Sequence, residues 1–280
     1  MARQDALSIY INDSDKDKLA ETYGEVIEAI QKGAISEQIK NKNYSGDPTT
    51  GSVEIDRFKN AEIKDKGTAR TNAKGDNVKD TGKVTINVDT DKEIVEEIAK
   101  KDIKLYGVSG MAERRKGNHI KKLKAYLDKE FFACAEKEGA KVTIPATAKT
   151  IVEKLEALIQ SVEITVNDWV DGVDRDMLVL TVTPKVYGDL ANYIDSVPNS
   201  LNGLNDELFH KVKIFSNHRQ TKDAICMLDG AIGQLVVTDQ YDAEKIPLSN
   251  DIALELFFSK GTKAVTPDLI KYADIVTAGE

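Results

Sequence analysis

SGMAERRKGNHIKKLKAYLDKEFFACAEKEG, residues 109–139, reads as one long helix with a start signal, a stop signal and a single apolar stripe. Ser109 can cap the free amides of the first turn, and Gly139 suits the left-handed residue that closes a helix. Between them Ile120, Leu123, Leu127, Phe131 and Cys134 recur at spacings of three and four, so they share one face. Lys121, Lys122, Lys124, Asp128, Lys129, Glu130 and Lys137 are expected to point away from it. At roughly 1.5 Å per residue the element is on the order of 45 Å long, well beyond the average globular helix of about a dozen residues. Gly117 is where a bend is expected. Taken alone, such a helix is a core strut.

The 280 residues, 41% of them hydrophobic, can bury a core of one or two domains. A formal net charge of −8 argues against a protein whose main surface meets nucleic-acid phosphate, because such domains are usually basic. Cys134 and Cys226 are the only cysteines, one on the helix stripe and one in the apolar run AICML. Both read as buried small hydrophobes of a reducing compartment. No apolar run reaches the roughly 18 residues needed to span a bilayer, and residues 1–18 lack the apolar core of a signal peptide.

On the N-terminal side, Asp13-Ser14 can cap a helix whose stripe is Leu19, Tyr23, Val26, Ile27 and Ile30, ending near Gly33. Asp13, Asp15 and Asp17 mimic the opening of a calcium loop, but Lys18 stands where the glycine is needed and Gly24 where the glutamate is needed. Residues 34–51 read as an extended connector. Residues 51–90 begin and end in alternating strands, Val53 to Asp56 and Val84 to Val88, around a long polar tip. Between residues 59 and 83 the tip carries Lys59, Lys64, Lys66, Arg70, Lys74, Lys79 and Lys83 against Glu62, Asp65, Asp76 and Asp80, a locally basic stretch in an acidic chain. A mobile surface loop is the plain alternative. Two strand-like stems favour a two-stranded arm instead, and an arm needs something to lie on.

Residues 91–101, DKEIVEEIAKK, read as a short charged helix with Ile94, Val95 and Ile98 inward, after which Leu105-Tyr106-Gly107 turns the chain into the long helix. Beyond Gly139 come a strand-like KVTIP and a third amphipathic helix over residues 146–161. An alternation of strands and short helices follows from residue 164, including the apolar strand at 177–182 and a short helix after Pro184. Further strands are expected at residues 234–238, 253–258 and 269–276. The fold class is therefore α+β.

No constellation for catalysis emerges. His119, His210 and His218 form no metal pattern with each other or with the cysteines, no serine sits in a nucleophile elbow, and the carboxylates are spread over charged faces. Nor do Gly75, Gly82 and Lys83 make a phosphate loop. No enzyme activity, cofactor or metal is expected, and a hydrolase with an unrecognised site is the weaker alternative. The chain is expected to work by contact.

In their order and lengths, SVEIDRFKNAEIKDKGTART leading to VTINVDTDKEIVEEIAKKDIKLYG, then AERRKGNHIKKLKAYLDKEFFACA, then MLVLTVTPKVYGDLANYI, the segments resemble the major capsid protein of tailed bacteriophages. The resemblance implies that fold, with an N-terminal arm (1–50), an extended β-hairpin loop (51–90), a peripheral domain (91–160 and 235–280) built on the spine helix 109–139, and an axial domain (161–234). It implies that the hairpin, with Arg57, Lys59, Lys64, Lys66, Arg70, Lys74 and Lys79, lies over a neighbouring subunit. It also implies that hexamers and pentamers build an icosahedral shell around double-stranded DNA in the virion, assembled in the host bacterial cytoplasm. Separate scaffolding, portal and decoration proteins are partners the resemblance allows, with packaged DNA touched weakly and without sequence preference, and no membrane. The shell of a bacterial nanocompartment (encapsulin) resembles the same fold and stays open as an alternative.

Overall fold

The computed structural model describes residues 13–61, 63, 65, 81–196, 208–209, 211–246 and 251–275. The chain divides into two compact units. One comprises residues 1–38, 87–128 and 235–261, the other residues 39–86, 129–234 and 262–280.

In the first unit, α1 (Asp13–Gly33) is followed by α2 (Ile35–Ile39), β3 (Thr90–Ile98) and the start of α3 (Lys100–Glu138), and is closed by β11 (Ile232–Lys245) and β12 (Ile252–Ala264). Leu19, Val26 and Ile30 of α1 are buried with Val108, Ala112, Leu123 and Leu127 of α3 and with Ile252, Leu254, Leu256 and Phe258 of β12, and Tyr23 and Ile27 pack against that cluster. Both amphipathic stripes thus find the partner they need. Strands run in the order β11-β12-β3, with Ile98 opposite Ile252 and Thr90 opposite Lys260 in an antiparallel ladder.

Residues 91–98 are therefore strand, not the helix expected from sequence. Ile94, Val95 and Ile98 satisfy a helical spacing, but Ile94, Glu96 and Ile98 also alternate with Val95 and Glu97. The ladder offered by β12 selects the second pattern, in which Val95 is 49% exposed. Residues 34–51 are likewise less extended than expected. They hold α2 and a 3-10 turn at Pro48–Thr50, capped where Thr49 N–H donates to Asp47 Oδ1 at 2.9 Å.

The long helix starts earlier than Ser109 and is broken at Gly107, whose φ of 71° and ψ of 169° belong to a region open essentially to glycine. The break is there, and not at Gly117, which lies within helical backbone. Lys100 N–H donates to Asp251 Oδ1 at 2.9 Å, which caps the first segment. Asp128, expected on the wet side, is fully buried. A buried carboxylate needs donors, and Ser36 N–H in the first turn of α2 supplies one at 2.9 Å. Cys134, expected on the buried stripe, is only half-buried, whereas Phe132 and Ala135 are fully buried. A stripe drawn by threes and fours would leave the Phe132 phenyl in water. It sits instead edge-to-face with Phe131 at 5.3 Å, and the smaller thiol yields.

In the second unit, β1 (Ser52–Phe58) and β2 (Thr81–Asn87) form a two-stranded sheet. A six-stranded sheet, in the order β4-β13-β10-β7-β9-β8, is made by β4 (Ala140–Lys141), β7 (Leu178–Val182), β8 (Leu208–Phe209), β9 (Val212–Ser216), β10 (Ala224–Leu228) and β13 (Ile270–Ala273). All five residues of β7 are buried, as its unbroken apolar run requires, and burial holds the Cys226 thiol on neighbouring β10 above its usual pKa. The core cluster includes Leu155, Leu158, Ile159 and Val162 of α4 (Ile151–Glu163) and Val186 and Leu190 of α5 (Pro184–Ser196). α4 begins later than residue 146, because Thr150 and Glu153 form a reciprocal capping box. A small hairpin, β5 (Val166–Asn167) and β6 (Val170–Asp171), projects after it. Arg175 then ties α4 to the loop before β7, bonding Glu163 at 2.7 and 2.8 Å and Glu156 at 2.6 and 3.2 Å.

Gly139 ends the long helix, but through close approach and not through a left-handed turn. A Cβ there would lie 2.5 Å from the carbonyl oxygen of Ala135 and 3.0 Å from that of Ile270. Both obstacles are backbone, so Gly139→Ala is expected to lower stability by about 1–3 kcal/mol. A thermal melt checks this, and an unchanged midpoint would mean that β13 can back away from the helix end.

Candidate assembly arm

Both stems of the hairpin are rooted in the second unit. Val53, Ile55 and Ile86 are buried, and a Cβ on Gly233 of β11 would lie 2.2 Å from Ile86 Cδ1 and 3.3 Å from Ile55 Cδ1. The bare glycine therefore makes the seat for both isoleucines. Lys263 Nζ donates to Thr85 O at 3.1 Å, and an exposed pair, Lys83 to Glu54 at 2.6 Å, crosses the two strands.

Beside the end of β1 and the start of β2 stands Trp169, the only tryptophan of the chain. The guanidinium carbon of Arg57 lies 5.0 Å and Lys59 Nζ 5.5 Å from the ring centroid. Gly82 faces the same ring, since a Cβ there would stand 2.8 Å from Trp169 Cη2. Arg57 also pairs with Asp268, and Asn60 N–H donates to Asp168 O at 3.0 Å. The turn between β5 and β6 thus grips β1 by backbone and by cation–π contact. Trp169→Ala removes two such contacts of about 0.5–1 kcal/mol each. Amide exchange in residues 52–60 is expected to quicken about tenfold, corresponding to ~1.4 kcal/mol. Unchanged exchange would show that the ring does not hold the root.

Of the arm's expected contact residues, Arg57 and Lys59 are brought together on Trp169. Lys64, Lys66, Arg70, Lys74 and Lys79 lie outside the described residues. Beyond the root, Phe58 is 61% exposed and Ile63 fully exposed, so two large apolar side chains face water in the single chain. Sequence reasoning passes over Trp169, whose one signal is its being a lone tryptophan after a polar Asn-Asp turn.

On the long helix, Ile120 packs against the cluster that buries Leu123 and Leu127, and Phe131 is fully buried. Glu96 of β3 accepts from Arg115 Nε at 2.6 Å and contacts His119 Nε2 at 3.1 Å. Arg115 holds that carboxyl below its ordinary range, with burial opposing and His119 assisting. Among the described residues no helix is long and apolar enough to cross a membrane.

No protein-family model and no curated protein sequence matches the chain. Solved structures do. A structure from Mycobacterium phage Che8 aligns with a TM-score of 0.59 at 14% identity, over 80% of this chain and 85% of that one. The capsid structure of the cyanophage P-SCSP1u gives 0.58 at 14% identity, over 86% and 88%. A virus-like particle from Pyrococcus furiosus gives 0.55 at 13% identity, over 92% and 98%. The chain shares its α+β fold with these structures, among them a phage capsid and a virus-like particle.

Proposed function

We propose that this chain is the major capsid protein of a tailed bacteriophage, whose copies assemble as hexamers and pentamers into an icosahedral shell around double-stranded DNA. The observation that carries the proposal is a fold shared, along 80–92% of the chain, with phage structures that include a capsid and with a virus-like particle. The protein acts as a structural element of the virion, not as an enzyme, and is built in the host cytoplasm. Residues 161–234 are the heart of the axial domain, whose sheet is completed by β4 and β13, and the helices and sheet of the first unit belong to the peripheral domain. The hairpin of residues 51–90 lies over a neighbouring subunit, an arrangement that would cover Phe58 and Ile63, which single-chain packing leaves in water. Lys59, Lys64, Lys66, Arg70, Lys74 and Lys79 then set a basic arm against an acidic body, a complementarity that favours register between copies. Arg57 serves at the root, fixing the angle at which the arm departs. Separate scaffolding, portal and decoration proteins complete the particle.

The match to the Pyrococcus furiosus particle, over nearly all of both chains, supports a second reading as the shell of a bacterial nanocompartment. Electron microscopy of the expressed chain tests both, since closed icosahedral particles are expected and their absence under all assembly conditions would count against either. Mass spectrometry of the particles separates the two, because a compartment brings an enzyme cargo with it.

A further inference from the structure

Between Lys100 and Leu127 the long helix carries nine cationic side chains against two carboxylates, Asp102 and Glu113, in a chain whose net charge is −8. Some of that charge is matched inside the unit. Arg115 is bound by Glu96, and Lys116 by Glu25 and Glu113. Lys124 lies over Gly33 at the C-terminal end of α1, where a Cβ would stand 2.1 Å from its Nζ, and meets the partial negative charge of that helix end. The remainder is not matched. Arg114, Lys121 and Lys122 are exposed and make no ion pair among the described residues.

Arg114, Asn118, Lys121 and Lys122 fall on consecutive turns of one exposed helix face, with no carboxylate among them. Leaving such a face uncompensated is costly in self-repulsion, and a helix of this length could have placed glutamates at the neighbouring positions. Arg114 is in addition laid over the ring of Tyr106, its guanidinium carbon 3.7 Å from the centroid, which fixes one positive group in place. The row climbs about 12 Å along the helix at roughly 1.5 Å per residue. That length spans two successive phosphates of a nucleic-acid strand more naturally than a single compact anion. Lysines without a pocket give point charges that neutralise phosphate and read no base.

We infer that this face, Arg114, Asn118, Lys121 and Lys122, is a sequence-independent contact for the phosphate backbone of duplex nucleic acid. The inference deepens the shell proposal, and rests on it, by naming the surface its polyanionic contents would touch. It moves the contact away from the basic hairpin tip, the segment that sequence alone would nominate.

Fluorescence anisotropy of a labelled random-sequence DNA duplex, titrated with the unassembled full chain from about 50 to 200 mM salt, tests it. Weak binding without sequence preference is expected. In the triple variant Arg114→Gln, Lys121→Gln, Lys122→Gln the slope of log K against log salt should fall by about 2–3, at about 0.9 for each phosphate no longer neutralised. Affinity at the lowest salt should drop at least tenfold. A matched variant with Lys64, Lys66 and Arg70 changed to Gln should retain the wild-type slope. Weakening confined to that tip variant, or an unchanged slope in the helix variant, overturns the inference. So does a poly-glutamate peptide that binds the helix face in preference to the duplex, which would make an acidic protein segment the occupant. Electron microscopy of the helix variant keeps the two claims apart: closed shells from a variant that no longer binds DNA support the contact, whereas DNA binding retained by a chain that never forms shells counts against both.

Discussion

A chain carrying Phe131→Asp or Leu127→Asp is expected to vanish from the soluble fraction. Phe131 is fully buried and Leu127 is 2% exposed. Truncating side chains of this size in a core costs about 2–5 kcal/mol. A carboxylate left there without a partner adds several more, against roughly 5–15 kcal/mol for a whole domain. Asp128 shows what the interior demands of a carboxylate, since it accepts a hydrogen bond from the Ser36 N–H. Lys121→Asp, on the wet side of the same helix, should leave the melting midpoint nearly where it was, because exposed substitutions usually stay within about 0.5 kcal/mol. Soluble yield and thermal melting report the difference. Unchanged melting in the Phe131 variant would mean that this side of the helix faces water.

Removing residues 62–80 and closing the gap with a short turn is expected to do the opposite: keep the fold and abolish the assembly. The excision spares Val53, Ile55 and Ile86, which pack at the base, and Arg57, Lys59 and Gly82, which hold Trp169. The melting curve should therefore change little. If the arm clamps a neighbour, micrographs of the variant should contain no closed particles. Shells of normal size from the shortened chain would sink the clamp, and with it the role given to the basic tip.

The elements that could be recognised in advance are those whose signal is local. The stripes of α1 and α3 repeat with the helical period over many turns, β7 is an unbroken apolar run, and the two stems alternate cleanly. What escaped recognition depends on partners far along the chain. Residues 90–98 choose strand over helix because β12 presents a ladder to them. Asp128 turns inward because a main-chain amide waits there, and an amide has no identity in a sequence. Gly107 and Gly117 look alike as letters, yet only the first must adopt a positive φ. The grip of Trp169 on the arm joins residues from β1, β2 and the β5–β6 turn, a meeting that no spacing announces.

The position of β3 at the edge of its sheet has one more consequence. Among the described residues this nine-residue strand pairs on one side only, and its other side is a template on which another extended chain can lie. Its residues are poorly chosen for that. Asp91, Glu93, Glu96 and Glu97 stand against a lone Lys92, so an identical strand laid alongside in parallel register would set each of these charges beside its own copy. Pairing of one β3 edge with another would lock two copies together through the wrong surface, and the acidic flank disfavours it. Freshly made copies are thereby kept from joining through this edge.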